Sequence, residues 1–131
     1  MIFLDSNVPV YLIGTPHPNR DLAFAAIDRL ARSGARMVTS AEVMQELLHL
    51  FSKRPASAAL QQALNALRGL ADEIYPVEAE DVDRAHAVSR AHPGLSSRDA
   101  LHVAVMQRHG VTRILSYDRD FDRIATIERI Y

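Results

Sequence analysis

The sequence predicts a three-layer α/β domain whose central, mostly parallel sheet of four to five strands is flanked by helices. Three observations carry this. The chain opens on an unbroken apolar run, Ile2-Phe3-Leu4, which suits a strand buried on both faces at the centre of a parallel sheet. Strand-like segments then alternate with segments of helical spacing along the whole chain, the pattern of crossover-connected parallel strands. Finally, 131 residues with 48% hydrophobic and 24% charged content are those of one soluble globular domain, so 1–131 is read as a single unit.

The first strand stops on a carboxylate, Asp5. Ser6 reads as the cap of a short helix over 7–13, and Gly14 as its end. Thr15-Pro16-His17-Pro18 is a breaker cluster, after which Asn19 is placed to cap a helix over 20–33 with Leu22, Ala23, Ala26, Ile27, Leu30 and Ala31 at helical spacing and Gly34 as its stop. A second strand is expected over 36–39. Thr39 and Glu42 have capping-box spacing at the head of the next helix, whose apolar side is Val43, Leu47, Leu50 and Phe51, and Lys53-Arg54-Pro55 closes it. Residues 56–71, rich in alanine and leucine, form a helix with Leu60, Leu64 and Leu67 in one stripe. Residues 73–77 make a short strand that Pro76 assigns to a sheet edge. Helices follow over 80–92, stopped by Pro93-Gly94, and over 98–109, capped by Ser96 or Ser97. A fourth strand over 112–116 leads into an acidic turn at 117–122, and 127–131 adds a last edge strand.

Composition excludes several classes. Without cysteine there is neither a disulfide nor a thiolate metal site. The start lacks a basic segment and a long apolar run, and nothing later approaches a membrane span, so the expected location is the cytoplasm. The formal net charge of −1 argues against binding nucleic acid through a broad basic surface. If four of the 16 acids face a cation, however, the other 12 stand against 15 basic residues, +3 on the remaining surface. All of those basic residues but Lys53 are arginines, whose planar fork suits phosphate contacts.

Four carboxylates are expected to converge. Asp5 ends the first strand and Asp118 follows the fourth, and in open α/β sheets ligands sit just beyond the carboxyl ends of strands. Glu46 lies about two turns into its helix, flanking the buried stripe; Glu42 competes for the same role, but its cap already accounts for it. Asp99 begins a helix apolar enough to pack on the sheet. Carboxylates gathered in this way repel one another and need a cation. Oxygen-only ligands select a hard ion, Mg²⁺ or Mn²⁺, which beside a phosphodiester can activate water and offset developing charge. His49 and His102 lie three residues after Glu46 and Asp99, beside those acids on a helix. A metal role for them is open, although neutral imidazole suits magnesium poorly. Asp120 and Asp122 read as turn and cap residues ahead of Phe121, and Arg98, Arg119 and Arg123 lie near the crevice as phosphate contacts or as solvated arginines.

On these residues the chain resembles the PIN-domain ribonucleases, most closely the VapC-type toxins of bacterial and archaeal toxin-antitoxin pairs. The resemblance covers nearly the full length. It is carried by Phe3-Leu4-Asp5-Ser6-Asn7 for the opening D-[ST]-N, Ser40 to Leu47 for the second acid, Arg98-Asp99-Ala100-Leu101-His102 for the third, and Leu115-Ser116-Tyr117-Asp118-Arg119-Asp120-Phe121 for the closing T-x-D-x-x-F. It implies that Asp5, Glu46, Asp99 and Asp118 bind Mg²⁺ or Mn²⁺, with Asp120 the alternative to Asp118, and that Ser6, Asn7 and Ser116 support them. It also implies metal-activated hydrolysis of single-stranded or loop RNA to 5′-phosphate and 3′-hydroxyl ends, a small cognate antitoxin and a homodimer, with 56–71 as partner surface or core. Serine stands at positions 6 and 116 where threonine is more usual, and His102 where many relatives carry an aliphatic residue.

Two other classes are weighed. A response-regulator-type signalling domain would phosphorylate an Asp at a strand end, but it needs a lysine at the end of a late strand, and Lys53 lies in a helix-terminal turn. A catalytically silent PIN-like binding module would not need the full set of acids.

Overall fold

The computed structural model describes residues 1–53 and 58–131. Strand β1 (Ile2–Leu4) is followed by α1 (Asn7–Ile13), α2 (Pro18–Arg32), β2 (Met37–Ser40), α3 (Ala41–Phe51), α4 (Ala59–Leu70), β3 (Glu73–Tyr75), α5 (Ala79–Ala91), α6 (Ser97–Arg108), β4 (Arg113–Leu115), a 3₁₀ turn (Arg119–Arg123) and β5 (Glu128–Ile130). The five strands form one sheet in the order β3-β2-β1-β4-β5, every pair parallel. β1 is its centre, and all three of its residues are buried, as an apolar run without alternation requires. β3 and β5 are the edges, which is where Pro76 and the end of the sequence pattern place them.

Strand order runs outward from β1 to β3, then restarts on the other side with β4. That reversal between β1 and β4 is a topological switch point, where parallel sheets leave a crevice at the carboxyl ends of the strands. Right-handed crossovers assign the helices of the β1-β2-β3 half to one face and α5 and α6 to the other. Accordingly α1 packs on α2 and α4, and α5 on α6. Helix α6 is the deepest: Ala100, His102, Val103, Ala104, Val105 and Met106 are all buried. No helix among the described residues is long and apolar enough to cross a membrane.

Local chemistry departs from expectation at several helix ends. Ser40, not Thr39, caps α3 by accepting the Val43 N–H at 3.4 Å, while Thr39 donates its hydroxyl to the Leu4 carbonyl across the sheet at 2.9 Å. Glu42 is thereby released from the capping box. The imidazole of His17, not Asn19, caps α2, accepting the Asn19 N–H at 3.0 Å with Pro18 in the first turn. Ser6 occupies the cap position of α1 without capping it. Leu22 and Leu50 lie at helical spacing yet are about half exposed, at the margin of their stripes rather than in them. Of the expected start of α4 at 56 and the closing Arg54-Pro55, nothing is described; within α4, Ala63 and Leu67 are buried and the helix packs on α1 and α3.

Candidate active site

Asp5 is the first residue past β1 and is only 4% exposed. Its N–H donates to the Leu115 carbonyl on β4, so the chain leaves the sheet with its carboxylate over the switch point. Three donors converge on that carboxylate. The Ser6 N–H reaches Oδ1 at 2.7 Å, and Ser116 Oγ and Asn7 Nδ2 reach Oδ2 at 2.6 and 3.3 Å. Ser116 Oγ itself accepts from Asn7 Nδ2 and from the Asp118 N–H, at 3.2 and 3.0 Å, so its single proton must go to Asp5. Asn7 is fully used, since its Oδ1 accepts the Tyr117 N–H at 3.4 Å. Burial pushes the Asp5 carboxyl above the usual range, and the His102 ring and these donors only partly offset that.

Glu46 projects from α3 toward the same point. Ser6 Oγ donates to its Oε2 at 2.6 Å, and His102 Nε2 lies 2.7 Å from its Oε1. The same Nε2 is 3.9 Å from Asp5 Oδ1, so Asp5, Glu46 and His102 form one compact group. Burial alone raises the Glu46 carboxyl, but the hydrogen bond and charge of His102, with Ser6 and Arg98, outweigh it and hold Glu46 below its ordinary value. Burial of the His102 ring works against its charge; the bond to Glu46 and the fields of Asp5, Glu46 and Asp99 prevail, and its pKa is raised. His49, the other histidine of the i, i+3 pattern, is exposed.

The second group is Asp99, Asp118 and Asp120, all half-buried, with carboxylate oxygens within 4.8 Å of one another. Asp99 stands in the first turn of α6, whose cap Ser96 accepts the Asp99 N–H at 3.1 Å. Asp118 follows β4 and accepts the Asp120 N–H at 2.9 Å, which folds the acidic turn back toward it. Burial first, then repulsion from Asp118 and from Asp5, lifts the Asp99 carboxyl to about 7. Asp99 feels the charges of both Asp118 and Asp5, so the two acidic groups adjoin. Asp5, Glu46, Asp99 and Asp118 are thus brought together, with Asp120 alongside. Asp122 is not: it is exposed and ion-paired bidentately with Arg129, at 2.8 and 3.1 Å. Arg98 is half-buried and close enough to act on Glu46, while Arg119 is exposed beside Asp118.

The PIN domain pattern matches residues 2–127, and a VapC ribonuclease of Mycobacterium bovis is 42% identical over 130 residues, 99% of either chain. The chain belongs to the PIN domain family, in its VapC branch. Two solved structures share the fold. The sarcin-ricin loop cleaving toxin VapC20 of Mycobacterium tuberculosis has a TM-score of 0.77 at 23% identity, covering 95% of each chain. A toxin-antitoxin complex from Klebsiella pneumoniae has a TM-score of 0.67 at 17% identity, covering 98% of this chain and 96% of that one.

The side chains of this PIN domain suit a divalent cation. Carboxylate oxygens dominate the site, as a hard ion prefers, and the Asp99 carboxyl, lifted to about 7 by burial first and then by repulsion from Asp118 and Asp5, carries a charge that a cation would offset. Where the sequence pattern set His102 beside Asp99, folding puts it between Glu46 and Asp5. The signal was present in the run Ala100-Leu101-His102-Val103-Ala104-Val105-Met106: one polar residue in an apolar helix must find a polar partner when buried.

Proposed function

We propose that this chain is a Mg²⁺- or Mn²⁺-dependent endoribonuclease, the toxin of a toxin-antitoxin pair, hydrolysing phosphodiesters of single-stranded or loop RNA. The observation that carries the reading is the convergence of Asp5, Glu46, Asp99 and Asp118 from distant parts of the chain at the β1/β4 switch point. Its relationship to ribonucleases over nearly its whole length supports the same reaction class. Asp5, Glu46, Asp99 and Asp118 would hold the ion, with Asp120 placed to share it. A bound divalent ion lowers the pKa of an attacking water and offsets charge on the phosphoryl group. Ser116 and Asn7 orient the Asp5 carboxylate, Ser6 orients that of Glu46, and Arg98 and Arg119 are the cations at hand for flanking phosphates.

The test is incubation of the purified, antitoxin-free chain with RNA and Mg²⁺, with and without chelator. Cleavage leaving 5′-phosphate and 3′-hydroxyl ends, stopped by chelator, is expected; intact RNA under every divalent ion tried would overturn the reading. A pH dependence follows as well. Below about 7 Asp99 carries a proton that an incoming cation must displace. Apparent Mn²⁺ affinity should therefore weaken as pH falls, by about tenfold from pH 8 to pH 6 if that one proton is displaced. Calorimetry at the two pH values checks this, and equal affinities would remove Asp99 from the ion's ligands.

We extend the reading to partners. A small antitoxin laying a helix or extended tail across the acidic pocket would silence it. A second copy of the chain would cover apolar side chains left exposed on α3 and α5, namely Leu48, Leu50 and Val82. Light scattering that returns the monomer mass at micromolar concentration would remove the pair.

A further inference from the structure

We propose that His102 is a positioning residue: it fixes the Glu46 carboxylate beside Asp5 and thereby sets the affinity of the acidic pocket for its divalent cation. This rests on the nuclease reading above for its function, and on geometry for its substance. The His102 side chain is fully buried, with its ring 5.8 Å from that of Phe3. Its Nε2 lies 2.7 Å from Glu46 Oε1, while its Nδ1 is buried with no hydrogen-bond partner among the described residues. Nε2 therefore carries a proton whether the ring is neutral or charged, because in the neutral ring a lone proton on Nδ1 would be a buried donor without an acceptor.

An Nε2 that donates to Glu46 has no lone pair for a metal ion, so His102 acts through Glu46 and not as a ligand. Ser6 Oγ holds the other carboxylate oxygen at 2.6 Å. Glu46 is thus clamped between a donor from the β1–α1 turn and a donor from α6, 40 and 56 residues away in the chain. Without the α6 donor, Ser6 alone holds the Glu46 carboxylate beside Asp5. Donors that hold a ligating carboxylate in this manner are worth about 10- to 100-fold in metal affinity.

The experiment titrates Mn²⁺ into the full chain by calorimetry, with RNA cleavage as a second readout. His102→Leu keeps apolar bulk and removes the donor; His102→Gln carries an amide N–H to about the position of Nε2; His102→Asn carries one only as far as Nδ1. His102→Leu and His102→Asn should weaken Mn²⁺ binding about 10- to 100-fold, with half-maximal cleavage moving to higher Mn²⁺ by the same factor, and His102→Gln should recover most of it. Mn²⁺ affinity unchanged in His102→Leu overturns the inference. If His102→Leu does not fold, equal affinities in the Gln and Asn variants overturn it instead. Nitrogen coupling to Mn²⁺ in the wild-type paramagnetic resonance spectrum, absent in His102→Gln, would make His102 a ligand and also overturn it. A wild type that binds Mn²⁺ but cuts no RNA removes the nuclease reading and leaves the comparison of affinities standing.

Discussion

Asp5→Asn is expected to reduce RNA cleavage at saturating Mg²⁺ by at least about 100-fold, the scale on which one preorganised charged group at a reacting centre acts. The substitution keeps the shape of the side chain, so the loss reports chemistry. An amide in place of the carboxylate removes half of the acceptor capacity that Ser6, Asn7 and Ser116 address. Its NH₂ must face either the Ser6 N–H or the Ser116 hydroxyl, which already accepts twice. Burial pushes the Asp5 carboxyl up, so its ionised form costs folding free energy at neutral pH. The variant should therefore melt no more than a few degrees below the wild type in chelator, and above it if relief of the buried charge prevails, in the manner of activity traded for stability. Melting curves and initial cleavage rates from one preparation check both halves. A variant that cuts RNA at the wild-type rate would show that Asp5 does not hold the ion.

Much of this was legible in the chain because a few physical signals dominate. Ile2-Phe3-Leu4 suits a strand covered on both sides, which made β1 central and placed Asp5 at a strand's carboxyl end. β3 is an edge as expected, although it stops at Tyr75, so Pro76 ends the strand expected over 73–77 and does not lie within it. Signals that depend on one residue's choice among near-equal partners were not resolved. Thr39 and Ser40 both have a hydroxyl near the start of α3; which one caps it was decided by the Leu4 carbonyl across the sheet, a contact no local spacing reveals. Ser6 likewise gave its hydroxyl to Glu46 instead of to its own helix. His102 was read against Asp99 because i, i+3 neighbours are visible in a sequence, whereas its pairing with Glu46 needs α3 and α6 to meet. His109 shows the same limit: at the end of α6 it stacks flat on Tyr75 of β3, ring centroids 3.5 Å apart, a partner that helical spacing does not reveal.

Asp81→Ala is expected to destabilise the fold by about 2–3 kcal/mol, because it removes a buried carboxylate that accepts charged hydrogen bonds from Arg108. The Asp81 side chain is wholly buried and joins three segments. Arg108 at the end of α6 donates from Nε to Oδ1 at 2.6 Å and from Nη2 to Oδ2 at 2.9 Å, and its Nη2 also reaches the Pro76 carbonyl after β3 at 3.1 Å. The Glu78 N–H donates to Oδ2 at 2.8 Å, completing the capping box of α5. Alanine leaves that N–H without an acceptor and takes the carboxylate from Arg108, which keeps only the Pro76 carbonyl and the longer ion pairs to Glu78 and Glu80 at 3.9 and 3.7 Å. By contrast Asp28 pairs with Arg32 at side-chain exposures of 61% and 80%, and Asp28→Ala should cost about 0–1 kcal/mol. The pH dependence separates the two further. Hydrogen bonds from Arg108 hold the Asp81 carboxyl below its ordinary value despite its burial. A depressed carboxyl stabilises the fold at every pH above its unfolded value, about 3.9, and that stabilisation disappears as pH falls through the lower folded value. The gap between wild type and Asp81→Ala should therefore be constant from about pH 8 to pH 5 and close in more acidic solution. Below its melting temperature the variant should still cut RNA, since Arg108 lies at the far end of α6 from Asp99 and His102. Melting that coincides with the wild type at neutral pH would mean that the pair contributes nothing net, its Coulomb gain consumed by desolvation.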